Sequence, residues 1–208
     1  VFCGTLPEEN TQIAVFRDTQ SLVTSAVDGV NVCIFAYGQT GSGKTFTMFG
    51  KNGIGHTIDI AGKLDDDCGL APRVAEEVFK VLLEKDGSSE TSVTVSMFEL
   101  YTDVLRDLLA VHQDGALKIK LAEHSETGMV EVENTVKAVV KNARELLQVF
   151  KKGAASRTTS ATKMNADSSR SHLITMIMIC VKNRRTGNTV RGKLTLVDLA
   201  GSERVSKR

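Results

Sequence analysis

Three short polar segments carry the side chains of this sequence that are equipped for chemistry. The first, Gly38-Gln39-Thr40-Gly41-Ser42-Gly43-Lys44-Thr45, has the spacing G-x-x-x-x-G-K-[ST]. Small residues in that pattern let successive backbone N–H groups wrap around phosphate oxygens at a helix N-terminus. The Lys44 ammonium would neutralise charge on the β- and γ-phosphates of a nucleoside triphosphate, and the Thr45 hydroxyl would ligate Mg2+. A Gly-rich turn that matches by accident is the alternative. The apolar run before it and the helical pattern after it argue against accident, because strand, loop, helix is the order a phosphate site needs.

A cradle alone says only that phosphate binds, so what senses the terminal phosphate is the sharper question. Asn165-Ala166-Asp167-Ser168-Ser169-Arg170-Ser171-His172 is a polar loop leading into an apolar strand. Adjacent hydroxyls there can reach Mg2+ and the terminal phosphate, and losing those contacts when the phosphate leaves makes such a loop a switch. Taken alone, a Ser-rich loop is equally solvent-facing filler. The third segment, Asp198-Leu199-Ala200-Gly201-Ser202-Glu203, directly follows the apolar run 194–197. An acid at a strand end can hold a Mg2+-bound water, and the glycine beyond it can bring a backbone N–H close to the γ-phosphate. Between the two later segments the opposite charge for Glu203 is Arg170.

The elements that must position these segments are legible as periodicities. Val15, Phe16, Thr19, Leu22, Val23, Ala26 and Val27 share one helical face, and Gly29 stands where a left-handed C-terminal cap belongs. Val32 to Tyr37 reads as a strand buried on both faces, and Lys44 to Met48 as the helix after the phosphate loop. Residues 51–70 read as a surface loop with a solvated Asp65-Asp66-Asp67 run. A second helix opens with Pro72 at its first position and ends at Asp86-Gly87.

Alternation at Val93, Val95 and Met97 predicts a strand, and 117–121 with 130–132, turning at Gly128, predicts a hairpin. Asn142 and Glu145 form a capping box for a helix that Gly153 closes. Strands follow at 173–181 and 194–197. Strands interleaved with helices make this an α/β chain whose helices cover a largely buried sheet.

Composition narrows the classes. The 208 residues suit one domain, with 41% of them apolar. Lys plus Arg number 26 against 25 Asp plus Glu, so net charge gives no argument for nucleic acid or an anionic membrane. Cysteines at 3, 33, 68 and 180 and histidines at 56, 112, 124 and 172 lack zinc-type spacing. The cysteines read as reduced packing residues of a cytosolic protein. No apolar run approaches the roughly 20 residues of a membrane span, and the N-terminus lacks a signal-peptide pattern, so a soluble protein is expected.

The phosphate loop within Asn31-Val32-Cys33-Ile34-Phe35-Ala36-Tyr37-Gly38-Gln39-Thr40, the Ser168-Ser169-Arg170-Ser171-His172 loop and the Asp198 to Glu203 turn together resemble kinesin motor domains. Myosins have related loops with different neighbouring residues, and the N-K-x-D signature by which small GTPases read guanine is missing. Phe98-Glu99-Leu100-Tyr101, Gly128-Met129-Val130-Glu131-Val132-Glu133-Asn134 and Arg191-Gly192-Lys193-Leu194 are most similar to the minus-end-directed group with C-terminal motors, plant calmodulin-regulated kinesins included.

The resemblance implies a P-loop NTPase fold: a central, mostly parallel sheet with helices on both faces. Residues 1–208 would be a partial motor domain, with the phosphate loop at 38–45, a first switch at 165–172 and a second at 198–203. It implies an ATP-hydrolysing, Mg2+-dependent, microtubule-stimulated motor core in the cytoplasm, bound to microtubules. A nucleotide-dependent microtubule tether without productive motility is the alternative. Dimerisation would use a coiled coil outside the chain.

By the same resemblance Gln39 to Thr45 wrap the phosphates, and Thr45 and Ser169 ligate Mg2+. Asn165 and Ser168 place the attacking water, and Gly201 donates its N–H to the γ-phosphate. Arg170 and Glu203 form an ion pair that closes the site, with Glu203 receiving the proton through ordered water; a salt bridge that merely joins two loops is the other reading of that pair. Phe46 is either a platform for the purine or a core residue.

Against the family pattern, the opening strand with its adenine-contacting segment and the tubulin-contacting helix after the second switch fall outside the sequence. The chain as given is therefore expected to move no cargo and to expose apolar edges that compromise folding. The loop 51–70 also departs from the family pattern, as a regulatory contact or as ordinary length variation.

Overall fold

The computed structural model describes residues 4, 10–51, 53, 64–85, 87, 89–112, 115–121, 130–164 and 168–203. Helix α1 (Gln12–Val27) starts where the Thr11 side chain accepts a hydrogen bond from the Ala14 N–H, three residues before the apolar face becomes visible. Past its end Gly29 takes φ +101°, the left-handed value the sequence calls for. Strand β1 (Asn31–Ala36) then feeds the phosphate loop, and α2 (Lys44–Phe49) begins behind Gly43 at φ +89°.

Strand β8 (Thr189–Asp198) lies parallel to β1. Its other neighbour is β7 (Ser171–Asn183), antiparallel to it through a hairpin, and β2 (Ser89–Tyr101) pairs antiparallel with β7 along thirteen residues. The far edge of β2 is shared by β3 (Val104–Asp107) and β6 (Ala138–Val140), both antiparallel. The order is β1-β8-β7-β2-β3, with β6 beside β2.

The α/β fold is as expected, but the sheet is not mostly parallel. Among the described residues β1 with β8 is its one parallel pair. Parallel neighbours need a long crossover, whereas β2 turns into β3 through Thr102 and Asp103 at positive φ and β7 reaches β8 through residues 184–188.

One face of the sheet carries the core. Val93, Val95 and Met97 of β2, Ile177 and Ile179 of β7, and Leu194 and Leu196 of β8 are all buried there. On them pack α1 through Ala26, α2 through Met48, α3 (Leu70–Glu84) through Val74 and Val78, and α4 (Ala143–Met164) through Leu146 and Phe150. The described helices therefore cover one face and not two, because their apolar stripes share this single cluster. For the same reason β1 is buried on one side only: Val32 is inside, while Phe35 is 61% exposed.

Two helix boundaries differ from the sequence reading. Helix α3 starts at Leu70, so Pro72 lies inside the first turn, where a missing N–H costs no helical bond. Helix α4 runs straight through Gly153, which is not a cap. A β-carbon at Gly153 would stand 2.5 Å from the Met97 sulfur, so the glycine is there for close approach of helix and sheet. The cap at the start of α4 forms with one difference: the Glu145 N–H donates to Asn142 Oδ1 (2.9 Å) as read, while the Glu145 carboxylate accepts from the N–H of Lys141 (2.8 Å), one residue before the cap.

The hairpin β4 (Lys118–Leu121) with β5 (Val130–Glu133) also forms, its turn at Gly128 lying outside the described residues. Of the 51–70 loop, Asp65 to Asp67 are exposed, and Gly50 bridges Cys68. Burial pushes the Cys68 thiol up to about 11, as befits a packing residue, but Cys33 is exposed and does not pack as expected. Cys3 lies outside the described residues.

Candidate functional site

Strand direction brings the three polar segments together. Because β1 and β8 are parallel with Ala36 opposite Asp198, the phosphate loop and the second switch leave the sheet side by side. Strand β7 runs the other way with Leu173 opposite Asp198, so the 3-10 turn Ser168–Arg170 enters the sheet at the same end. Backbone bonds then join the loops. The Ser202 N–H donates to Gly38 O (3.0 Å), the Gly201 N–H to Ser169 O (2.7 Å) and the Ala200 N–H to His172 Nδ1 (3.0 Å).

Between them is a cavity of about 360 Å3, within the range of small-molecule sites. Thr40, Gly41, Gly43, Lys44 and Thr45 line it from the phosphate loop, Ser169, Asp198 and Leu199 from the two switches, together with Phe46. Gly41 and Gly43 have φ +80° and +89°, and a β-carbon on either would touch nothing within 4 Å. Glycine is demanded there by backbone conformation and not by space. The Lys44 ammonium donates to Gly38 O (3.0 Å) and Gln39 O (2.8 Å), which holds a cation over the cradle.

Asp198 is 3% exposed, and it accepts the Thr45 hydroxyl proton on Oδ2 at 2.7 Å. Its Oδ1 is buried with no hydrogen-bond partner. An unpartnered buried carboxylate oxygen is costly. Placed beside a hydroxyl at the cavity wall, it fits a hard cation that prefers oxygen ligands, either directly or through a bound water. The residues present therefore suit Mg2+, with Thr45 and Ser169 on the cavity wall and Asp198 behind them.

Glu203 does not pair with Arg170 here. Its carboxylate accepts the Thr40 N–H at 2.8 Å and the Thr40 hydroxyl, and with both oxygens so engaged the expected ion pair is not formed. The Thr40 hydroxyl first, then the backbone N–H groups of Glu203 itself and of Thr40, hold the Glu203 carboxyl below its usual range. Arg170 is exposed on the turn. The Gly201 N–H is taken by Ser169 O and not free toward the cavity. Phe46 is 47% exposed, which rules out the core reading, and its carbonyl accepts from Gln12 Nε2 at 2.7 Å. Ser168 opens the 3-10 turn, and Asn165 lies outside the described residues.

Sequence reasoning missed the network behind Asp198. The Arg157 guanidinium, on α4, stands 3.3 Å from Glu99 Oε1 and 3.8 Å from Asp198 Oδ2, and it donates to Ser171 O and Oγ at 3.2 and 3.0 Å. The Ser171 hydroxyl in turn donates to Glu99 Oε1 at 2.8 Å. The signal was present: a carboxylate at 99 inside the apolar run Met97 to Leu100 has to find a cation. Ending α4 at Gly153 removed Arg157 from consideration.

A sequence model described as the kinesin motor domain matches residues 1–208. The chain is 45% identical over 197 residues to kinesin-like protein KIN-14I of Oryza sativa subsp. japonica and 44% identical over 197 residues to KIN-14E of Arabidopsis thaliana, covering 95% of this chain in each case. It spans only 15% and 14% of the lengths of those relatives. Among solved structures it resembles a fast kinesin at TM-score 0.83 and 37% identity, over 95% of this chain and 52% of that one. It also resembles the motor domain of a Kar3-like kinesin from Ashbya gossypii at TM-score 0.71 and 30% identity, over 96% of this chain and 55% of the other. The expected likeness to the C-terminal-motor group agrees with these relatives.

Proposed function

We propose a function from one premise: this chain belongs to the kinesin motor-domain family. It is part of a motor core that binds and hydrolyses ATP with Mg2+ and couples the cycle to its grip on microtubules. Residues 1–208 are a partial motor domain with the phosphate loop at 38–45 and switches at 165–172 and 198–203. The carrying observation is the meeting of three chain-distant loops at one sheet end, around Lys44 and the unpartnered Asp198 Oδ1.

Mg2+ would supply charge neutralisation at the phosphates. This chain's own residues do the rest by positioning, which is most of what phosphoryl transfer asks of a protein. N–H groups from Gln39 to Thr45, with Lys44, hold phosphate oxygens; Thr45 and Ser169 would hold Mg2+ through their hydroxyls, and Asp198 would hold it through a water. Asn165 and Ser168 orient the attacking water, Gly201 reports the terminal phosphate through its N–H, and Phe46 offers a face to the base. On closure Glu203 leaves Thr40 for Arg170 and accepts a proton through ordered water. The protein would act in the cytoplasm on the microtubule cytoskeleton, as a dimer joined outside these residues.

The deciding measurement is ATP turnover by the full-length parent with and without microtubules, beside Lys44→Ala and Glu203→Ala. Microtubule-stimulated turnover that both substitutions abolish is expected. Nucleotide-dependent microtubule binding without stimulated turnover would replace the motor by a tether, and stimulation surviving Glu203→Ala would remove that residue from the mechanism.

A further inference from the structure

Glu203 faces two partners that it cannot serve together. In the structure its carboxylate takes the Thr40 N–H at 2.8 Å and the Thr40 hydroxyl, whereas closure as proposed above pairs it with Arg170. The Thr40 contact folds tightly around Gly201. A β-carbon there would press on the Thr40 hydroxyl and stand 2.5 Å from each Glu203 carboxylate oxygen, so any side chain at 201 would push the carboxylate off the threonine. The Gly201 N–H to Ser169 O bond (2.7 Å) and the Ser202 N–H to Gly38 O bond (3.0 Å) hold the same arrangement. Two N–H groups suited to phosphate oxygens, those of Thr40 and Gly201, are thus occupied by the protein's own carboxylate and carbonyl.

We propose that Thr40 is a positioning residue that latches Glu203 onto the phosphate loop and so discriminates a nucleoside triphosphate from a diphosphate. The proposal rests on the nucleotide reading above. A terminal phosphate requires the Gly201 N–H and the release of Glu203 toward Arg170; a diphosphate needs no Gly201 N–H and keeps the cradle's other donors, Gly41 to Thr45, with the latch closed. Apparent affinity for the triphosphate is then the intrinsic affinity multiplied by the unlatched fraction of molecules, a factor that the diphosphate largely escapes. Deleting the Thr40 hydroxyl removes one of the two latch bonds and raises that fraction.

The test uses the full-length parent with Mg2+, titrating a methylanthraniloyl-ADP probe and displacing it with ADP or with β,γ-imido-ATP. Thr40→Val should raise the affinity for β,γ-imido-ATP relative to that for ADP by roughly three- to tenfold, the effect of one solvent-exposed hydrogen bond. Thr40→Ser should restore the wild-type ratio. In a Glu203→Ala background, Thr40→Val should leave the ratio where Glu203→Ala alone puts it. An unchanged ratio, an equal shift for both nucleotides, or the same selective shift without Glu203 would overturn the latch and leave Thr40 as a plain nucleotide contact. Wild-type protein that binds neither nucleotide, or a Lys44→Ala variant that binds both as wild type does, would overturn the nucleotide reading itself and the latch with it.

Discussion

Arg157→Met deletes one guanidinium while keeping an apolar stem of similar reach, and its cost follows from what that group touches. Arg157 is 13% exposed, and the carboxylates it faces are less so, at 9% for Glu99 and 3% for Asp198. Withdrawing the cation leaves two carboxylates in a site with little water, and breaking a buried pair from one side costs about 3–5 kcal/mol. A solvent-exposed pair would cost at most about 1 kcal/mol. In a domain of this size each kcal/mol moves the midpoint by about 2–4 °C, so the melting temperature should fall by about 6–20 °C. Circular dichroism during heating, with urea titration as the check, measures it. Adding Glu99→Leu should recover part of the loss, because an apolar replacement of a buried ion is often close to neutral, while Asp198 stays unpaired. A loss under about 1 kcal/mol for Arg157→Met would refute the reasoning, since it would mean that water reaches these carboxylates after all.

Gly192→Ala should be among the most damaging single-methyl additions, because the new β-carbon would collide with the Ala26 carbonyl oxygen and lie 2.9 Å from its carbon, and backbone cannot rotate aside. A destabilisation of about 3 kcal/mol by urea titration is expected, and an unchanged midpoint would show that α1 does not seat so closely on β8. For Glu203, a carboxyl held below its ordinary 4.5 by the Thr40 hydroxyl first, and then by the Glu203 and Thr40 N–H groups, contributes its contact above the unfolded value and loses it as pH falls through the folded one. Carbon NMR titration of the Glu203 carboxyl should give a midpoint below 4.5 that Thr40→Val moves upward, and an identical midpoint in the two proteins would exclude the threonine as the cause.

The helices and strands that matter to the site were legible because each carries a local pattern. The Thr11-to-Gly29 helix, the strand before the phosphate loop and the Asn142-Glu145 box depend on residues a few positions apart. What was illegible depends on partners far away in the chain. Gly153 reads as a helix stop until Met97, on β2, is seen to lie against it. Strand direction is likewise non-local: alternation at Val93 to Met97 is the same whether the neighbour is parallel or antiparallel, and only the pairing with β7 decides. The phosphate loop could be read complete, since its chemistry is its own backbone. The Glu203 partner could not, because its bond to Thr40 joins residues far apart in the chain and no local pattern announces it.

The parallel pairing of β1 with β8 sets where the site forms. With β1 and β8 parallel, their C-terminal ends share an edge, and β7, antiparallel to both, begins there. Were β7 reversed, its thirteen residues would carry the first switch to the far end of the sheet, about 40 Å away at the rise of an extended strand. The loops meet because the strands fix where they must start, yet what joins them is a handful of bonds from the Ser202, Gly201, Ala200 and Thr40 N–H groups. Each bond uses a donor that a bound anion or a moved switch would compete for. The scaffold is held by a continuous core on one face, whereas the junction between the loops is held by exchangeable polar contacts, so the junction can rearrange without deforming the sheet.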